Sequence, residues 1–521
     1  MSVKKNSRLY NSILNVGTTA IVTVFSMVLS MLVRAFLNRT LGTQYVGVNG
    51  VLSSIISSLS IADLGVDSVF VYLLYKPLAE KDSDEISKLM ILFKHVYVWI
   101  GSIFMILGIA CMPFLKYLVG HEAMKIPHIY LVFILFLLNT GLSYFFAAFR
   151  IILNADQKYY IIARITFIVS CTTNMIQILC LLIVDSFIVY VSLMLLNTIV
   201  INVIIGIISI KRYKLKKIAN KKFKDIKFKN DNTISTLIHN TIGGISNKLG
   251  VIFVNSSDNI LLANFETLKI VGMYSNYLLV TNGITSLLSK AIASITATIG
   301  NLGVESDETK NLSVFIRLNF LINTLVIFTV IPLSLFFGVF VDIWIGRAGV
   351  LSEFATILIV INCLLTVIRY PALTFIDAFG LQWIQRWKSI IESLVNIAVS
   401  LILLLFFKLG LIGVLLGTLA SNIFVVNWYE PYLVLKKVCG KRYKRYLNEI
   451  FPQMLIFVGT LVYAMIILKS NIIDYDFGMS LKIILSSEVF LVLIYVVVFR
   501  KNKYVSFIIR TIRNVFQRRN G

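Results

Sequence analysis

The sequence predicts an all-α polytopic membrane protein of 14 transmembrane helices, set out as two six-helix lobes plus two C-terminal helices. Three observations predict it. Hydrophobic residues make up 58% of the 521 residues and charged residues only 14%, about half of the roughly 25% found in soluble domains. A charged, water-facing surface cannot be built from that supply, and the low hydrophobicity that disorder requires is missing. Apolar runs long enough to cross a bilayer recur along the whole chain. Finally, the formal net charge of +24, from 49 Lys and Arg against 25 Asp and Glu, is sorted by those runs.

A helix crosses ~30 Å of hydrocarbon with about 20 apolar residues. Spans one to six are Ile13–Phe36, Val46–Tyr75, Lys94–Leu115, His128–Phe149, Tyr160–Ile183 and Ser186–Ile210. Spans seven to twelve are Ser235–Ala263, Ile270–Leu302, Leu312–Phe337, Phe354–Phe375, Gln385–Phe407 and Leu409–Tyr432. Phe451–Leu468 and Met479–Phe499 are the last two. Basic residues concentrate on the cytoplasmic side of membrane proteins. With both termini inside, 37 of the 49 Lys and Arg fall on inside segments or adjoining helix ends and 8 on outside positions. The basic stretch Lys211–Lys229 joins spans six and seven, and the tail after Arg500 alternates basic and apolar residues. These read as topogenic charge near anionic lipid heads and an interfacial amphipathic helix, so nucleic acid is not an expected partner. The resulting segments are an N-terminal lobe (1–210), a basic cytoplasmic linker (211–234), a C-terminal lobe (235–435), helices 13 and 14 (436–500) and a basic tail (501–521).

Several chemistries leave no trace. The five cysteines show no CxxC spacing, the four histidines no HExxH, and no P-loop, GxGxxG or GxSxG occurs. Neither a metal centre nor a catalytic residue is expected. The first apolar run follows Lys4, Lys5 and Arg8 but is too long for a signal-peptide core and reads as the first span.

The chain repeats itself about 220 residues on. Val46-Gly47-Val48 matches Val271-Gly272-Met273, and Asn15 matches Asn240, at an offset of 225. Arg164 and Asn174 match Arg386 and Asn396 at 222, and Arg150 matches Arg369 at 219. Six spans per half is an even number, so the halves share one topology. That is the parallel repeat of transporters that rock two halves around a central site.

Polar side chains in lipid must face the bundle or a water-filled cavity. Polar stripes at helical spacing run along span one (Asn15 to Arg34), span two (Asn49 to Asp67), span seven (Asn240, Asn247, Asn255, Asp258) and span eight (Asn282 to Lys290). The repeat predicts that these four helices line one cavity. Lys248 lies about 20 Å into span seven, and Lys290 lies in the inner third of span eight. A lysine there costs a few kcal/mol unless paired or hydrated. Two readings stay open: a cationic site for an anionic substrate such as a phosphate, or ion pairing with Asp63 or Asp67. Arg150 and Arg369 are expected at the cytoplasmic mouth, where they receive a charged headgroup or snorkel to the interface. Asp63, Asp67, Asp258 and Glu392 are candidates for ion coupling or pairing.

The stretch Leu153-Asn154-Ala155-Asp156-Gln157-Lys158-x-Tyr160 resembles the cytoplasmic-loop motif of bacterial polysaccharide repeat-unit (Wzx-type) flippases. Ile390-Ile391-Glu392-x3-Asn396, Gly410-x2-Gly413-x3-Gly417-Thr418, Glu430-Pro431, Leu41-Gly42-x4-Gly47 and Asp63-Leu64-Gly65 resemble the same family. It belongs to the multidrug/oligosaccharidyl-lipid/polysaccharide exporter superfamily, whose 6+6+2 helix arrangement (the MATE-like fold) the spans match. The resemblance implies a non-enzymatic flippase in the bacterial inner membrane. It would carry undecaprenyl-diphosphate-linked oligosaccharide from the inner to the outer leaflet for capsule, exopolysaccharide or O-antigen assembly. It further implies alternating access, coupling to Na⁺ or H⁺, and a polymerase and glycosyltransferases as partners. The cavity cations Lys248, Lys290 and Arg34 would then hold the diphosphate. Span one lacks the Asp frequent in the drug-exporting branch. A multidrug exporter and a lipid II flippase share the fold and are the alternatives. A membrane polysaccharide polymerase typically needs a large outer loop, and the longest here is about Gly338–Glu353.

Overall fold

The computed structural model describes residues 8–60, 66–213, 215, 256–293, 295–296, 299–300, 307–470, 477–500 and 502. Those residues are helical almost throughout. In order they form α1 (Arg8–Thr40), α2 (Thr43–Leu59), α3 (Val66–Glu80), α4 (Ser83–Cys111), α5 (Leu115–Ala123), α6 (Ile129–Ala155), α7 (Tyr159–Val184) and α8 (Phe187–Arg212). Residues 256–265 are α9. Then follow α10 (Leu268–Ala293), α11 (Glu308–Ile345), α12 (Glu353–Ile368), α13 (Tyr370–Ala378), α14 (Arg386–Leu405), α15 (Gly410–Ser421), α16 (Asn427–Lys437), α17 (Tyr443–Lys469) and α18 (Phe477–Phe499).

Among the described residues, 11 helical segments are long and apolar enough to cross a membrane. They coincide with every expected span except the second, seventh and eighth. The second is two helices, not one. The Ser58 and Ser60 hydroxyls turn back onto the carbonyls of Ser54 and Ile56, an alternative to the helical ladder, and α2 ends at Leu59. Most of the seventh lies outside the described residues. The eighth is a continuous helix, α10, whose row of Asn, Thr and Ser makes it too polar to pass as a lipid-facing span. Three further expectations change in detail. The third span starts at Ser83, because Asp82 caps α4 by accepting from the Asp84 and Glu85 amides at 3.1 and 3.0 Å. The tenth divides at Arg369 into α12 and α13, ahead of Pro371. The twelfth carries a π-helical turn, Asn422–Val426, between α15 and α16.

Large apolar side chains crowd the outside of these helices. Ile106, Leu179 and Val497 are 66%, 58% and 68% exposed. Such a surface is excluded by water and suits lipid, so the chain is a multi-pass membrane protein. α14 shows the inversion most clearly. Its buried face holds Lys388, Ser389, Glu392, Ser393, Asn396 and Ser400, while Trp387, Ile391, Leu394 and Leu405 point outward.

The helices gather into two compact units. The first comprises Met1–Leu287 and Leu381–Ser421. In it α1 packs on α7, α6 on α4 and α8, and α14 on α15. The second comprises Leu288–Gly380 and Asn422–Gly521. There α11 is the central post for α12, α17 and α18. Gln453 joins three of them, its Nε2 donating to Phe320 O on α11 at 3.0 Å, Thr324 Oγ1 at 3.1 Å and Tyr495 Oη on α18 at 2.9 Å. A buried amide with that many partners is a strong fastener in lipid, where an orphaned polar group finds no water.

Candidate functional site

A cavity of about 450 Å³ opens within the first unit. α1 contributes Ser26, Ser30 and Arg34, one turn apart on one face, and α7 contributes Thr166, Ser170, Thr173, Asn174 and Gln177 at the same periodicity. Tyr190, Asn197 and Thr198 of α8, Asn139 of α6, Asn49 of α2 and Leu279 of α10 complete it. Some of these groups satisfy one another: Gln177 Nε2 donates to Tyr190 O at 3.1 Å and Ser170 Oγ to Asn197 Oδ1 at 3.5 Å.

Arg34 stands apart from that lining. No Asp or Glu is among the described lining residues, and Arg34 Nη1 is buried without a hydrogen-bond partner. The Oδ1 atoms of Asn49 and Asn139 are likewise buried and unpartnered. A guanidinium in a membrane protein interior costs several kcal/mol unless an anion or water meets it. The cavity therefore offers one positive fork, two open acceptors and a ring of hydroxyls and amides. That set suits an anionic, hydroxyl-rich group and repels a cation.

A second polar centre lies in the same unit. Asp258 of α9 is buried, and its Oδ2 accepts from Thr418 Oγ1 of α15 at 3.0 Å and from Tyr274 Oη of α10 at 3.4 Å. Asn396 Nδ2 of α14 donates to Thr418 Oγ1 at 2.9 Å. Asp258 Oδ1, Asn396 Oδ1 and Ser400 Oγ are buried without a hydrogen-bond partner. Gly417 makes the approach of α14 and α15 possible, since a Cβ there would lie 2.0 Å from Ser400 Oγ. One carboxylate among neutral oxygens, with no lysine or arginine bonded to it, is a donor set for a hard monovalent cation or a proton.

The remaining expected site residues separate into distinct situations. Arg369 is not a free mouth cation: its Nη2 and Nε donate to the fully buried Glu430 at 2.9 and 3.2 Å. The buried carboxylate already takes up two of the five guanidinium N–H donors and neutralises the charge that a headgroup would meet. Glu392 takes the pairing role, against Lys388 one turn earlier at 3.2 Å. Asp67 is exposed and accepts from the Tyr97 hydroxyl. Arg150 has a buried Nε with no hydrogen-bond partner and feels the Asp67 charge. Lys290 and Asn282 are exposed on α10. Lys248, Asp63, Asn240, Asn247 and Asn255 lie outside the described residues, as does the side chain of Asn15.

The four-stripe cavity expected from the repeat needs span seven, most of which lies outside the described residues. Among the described residues the Arg34 cavity is built mainly on spans one, five and six. Spans two and eight give it one residue each. Most of the missed lining is on α7, where single Ser and Thr residues interrupt an apolar run. The helical spacing of Thr166, Ser170, Thr173 and Gln177 was the available signal. At the α6–α7 loop motif, Asp156 accepts from Tyr213 Oη at 2.6 Å and pairs with Lys158, tying the loop to the end of α8. Burial and the bonded Asp156 hold the Tyr213 phenol well above its ordinary pKa.

No protein-family model and no curated protein matches the sequence. Solved structures do match. Lipid II flippase MurJ in an inward closed conformation is 17% identical, with a TM-score of 0.64 over 93% of this chain and 99% of that one. An inward-facing multidrug resistance MATE family transporter of the MOP superfamily is 12% identical, with a TM-score of 0.60 over 87% and 98%. An outward-facing one is 11% identical, with a TM-score of 0.51 over 90% and 99%. The chain shares the fold of these proteins along nearly its whole length.

Proposed function

We propose that this chain is a flippase for a lipid-diphosphate-linked oligosaccharide, carrying it from the inner to the outer leaflet of a bacterial inner membrane. Both termini would be cytoplasmic, and two six-helix lobes would move by alternating access. The observation that carries the reading is Arg34, whose Nη1 is buried without a hydrogen-bond partner in a cavity rich in hydroxyls and amides, with no Asp or Glu among its described lining residues. Diphosphate is the substrate chemistry that a fork of N–H donors meets best, and a glycan takes the surrounding amides. The same feature disfavours a cationic drug, which would find no carboxylate among the lining residues. Lipid II carries a diphosphate as well, and the MurJ-like fold keeps it as the second substrate reading.

With the basic segments inside, Arg34 would lie toward the outer end of span one, where the substrate would arrive. Arg150 is proposed for the opposite mouth. Lys290, exposed on α10, and Lys248 are proposed as further cationic contacts along the route. Coupling falls to Asp258, whose carboxylate, with the oxygens of Asn396, Thr418 and Ser400, would hold Na⁺ or H⁺. Neutralising that buried charge is what a coupling ion would supply.

Titrating purified protein in nanodiscs with a polyprenyl-diphosphate oligosaccharide tests the reading. Wild type should bind it, and Arg34→Ala should weaken binding by about 10-fold or more, since a charge-assisted bond to a buried partner is worth about 1.5–3 kcal/mol. The same oligosaccharide on a polyprenol lacking diphosphate should bind both proteins alike. Equal affinity of Arg34→Ala and wild type for the diphosphate lipid would remove Arg34 as its receptor.

A further inference from the structure

Two residues of the repeat that function has not yet absorbed, Gly47 and Gly272, touch each other. A Cβ on Gly47 would lie 2.2 Å from Leu268 O and 3.1 Å from Gly272 N, and a Cβ on Gly272 would lie 2.1 Å from Thr43 O and 3.1 Å from Gly47 N. Each glycine rests on the carbonyl four residues before the other. The contact is therefore a two-fold one between repeat-equivalent helices, α2 and α10, at their first turns. One turn deeper, a Cβ on Gly50 would meet Ser275 Oγ at 2.3 Å. Ser54 Oγ of α2 accepts from Asn259 Nδ2 of α9 at 2.9 Å. At the outer rim the Glu122 carboxylate accepts from Leu268 N at 2.7 Å.

The residues that touch α2 are sequence neighbours of those that hold the acid. Asp258 carries the cation-type oxygens while Asn259, next to it, bonds α2. Tyr274 donates to Asp258 while Ser275, next to it, packs on Gly50 of α2. We propose that Asn259 and Ser275 are the positioning residues that couple occupancy of the Asp258 site to opening of the α2–α10 crossing. The inference rests on reading Asp258 as a cation site. The physical link is direct. A cation on the carboxylate competes for the lone pairs that accept from Tyr274 and Thr418 and weakens those charge-assisted bonds. Tyr274 is then free to shift with the first turn of α10, which is the half of the crossing that carries Gly272 and Ser275. Through Asn259, the same event loosens Ser54. Packing this close is two-state, because backbone atoms in contact across a glycine either stay seated or separate.

The test uses the full chain in nanodiscs, with Na⁺ as probe and K⁺ at equal ionic strength as control. Na⁺ binding is read by calorimetry and the crossing by amide hydrogen exchange over residues 43–59 and 268–280. Wild type should bind Na⁺ and show faster exchange at both first turns when it does. Asn259→Ala should keep Na⁺ affinity within about twofold but lose the exchange response, as removal of a coupling worth about fivefold or more requires. Ser54→Ala, which alters α2 and leaves the Asp258 oxygens untouched, should do the same, so the outcome does not depend on one variant folding. Asp258→Asn should lose binding and response together. Retention of the full exchange response in both Asn259→Ala and Ser54→Ala, with Na⁺ still bound, would overturn the coupling and leave the cation site standing. Absence of Na⁺ binding in wild type would overturn the Na⁺ reading of the site, and the coupling proposed here with it.

Discussion

A guanidinium inside a membrane protein is costly unless something negative meets it, and Arg369 and Arg34 are met differently. Arg369 is paired with Glu430 within the protein; Arg34 has no such carboxylate. Opposite consequences are expected for stability. Glu430→Ala strands the Arg369 charge and should cost about 3–5 kcal/mol, the usual toll for breaking a buried pair, read as a drop in thermal unfolding temperature in detergent. Arg34→Met removes a charge with no partner and should raise that temperature while transport is lost, the pattern of a residue kept for function against stability. A fall in melting temperature for Arg34→Met would mean that the side chain is structurally satisfied after all. Arg34→Lys keeps the charge but not the planar fork, so it should retain transport at a level between wild type and Arg34→Ala.

Among the elements, the π turn at Asn422–Val426 has a register consequence. Asn362 of α12 accepts from Asn422 Nδ2 at 3.3 Å, and further along Arg369 meets Glu430. The first pair is 60 residues apart in sequence and the second 61. The turn absorbs the extra residue, which is what a π-bulge does. Deleting Phe424 should return the segment to α-helix, rotate Glu430 by about 100° and destabilise the protein as much as Glu430→Ala. Unchanged stability in that deletion would show that the pair is not held by the turn. At the other element contact, Gly47→Ala and Gly272→Ala should have equal effects, each speeding amide exchange at the first turns of both α2 and α10, because each Cβ strikes the partner's backbone. An effect confined to one of the two helices would deny the two-fold character of the crossing.

For the whole molecule, the class and most of the spans were legible because lipid imposes a strong, local rule: about 20 apolar residues per crossing. The rule weakened where function intrudes. Two exceptions, α2–α3 and α10, carry polar stripes and supply Asn49 to the cavity and Tyr274 to the acid centre, while most of the seventh span lies outside the described residues. The repeat offset also proved informative, since it names the touching pair Gly47 and Gly272. Illegible were the partnerships of charges. Nothing near Arg369 in sequence announces Glu430, and nothing near Asp258 announces Thr418, because both meetings depend on helix packing across 61 and 160 residues. The N-terminal cavity escaped for a related reason. Its α7 wall is three hydroxyls and two amides scattered through an apolar helix, too sparse to stand out before α1 and α8 are folded against it.

The proposed function has the Arg34 cavity receive a lipid-linked anionic headgroup for transfer across the bilayer. Its most direct measurement is leaflet transfer of a fluorescent polyprenyl-diphosphate oligosaccharide in proteoliposomes, scored by protection from an impermeant quencher. Wild type should move the label to the opposite leaflet, and Arg34→Ala, reconstituted to the same density, should slow it by about 10-fold or more. Transfer by Arg34→Ala at the wild-type rate, or transfer by wild type of a cationic drug but not of the diphosphate lipid, would contradict it.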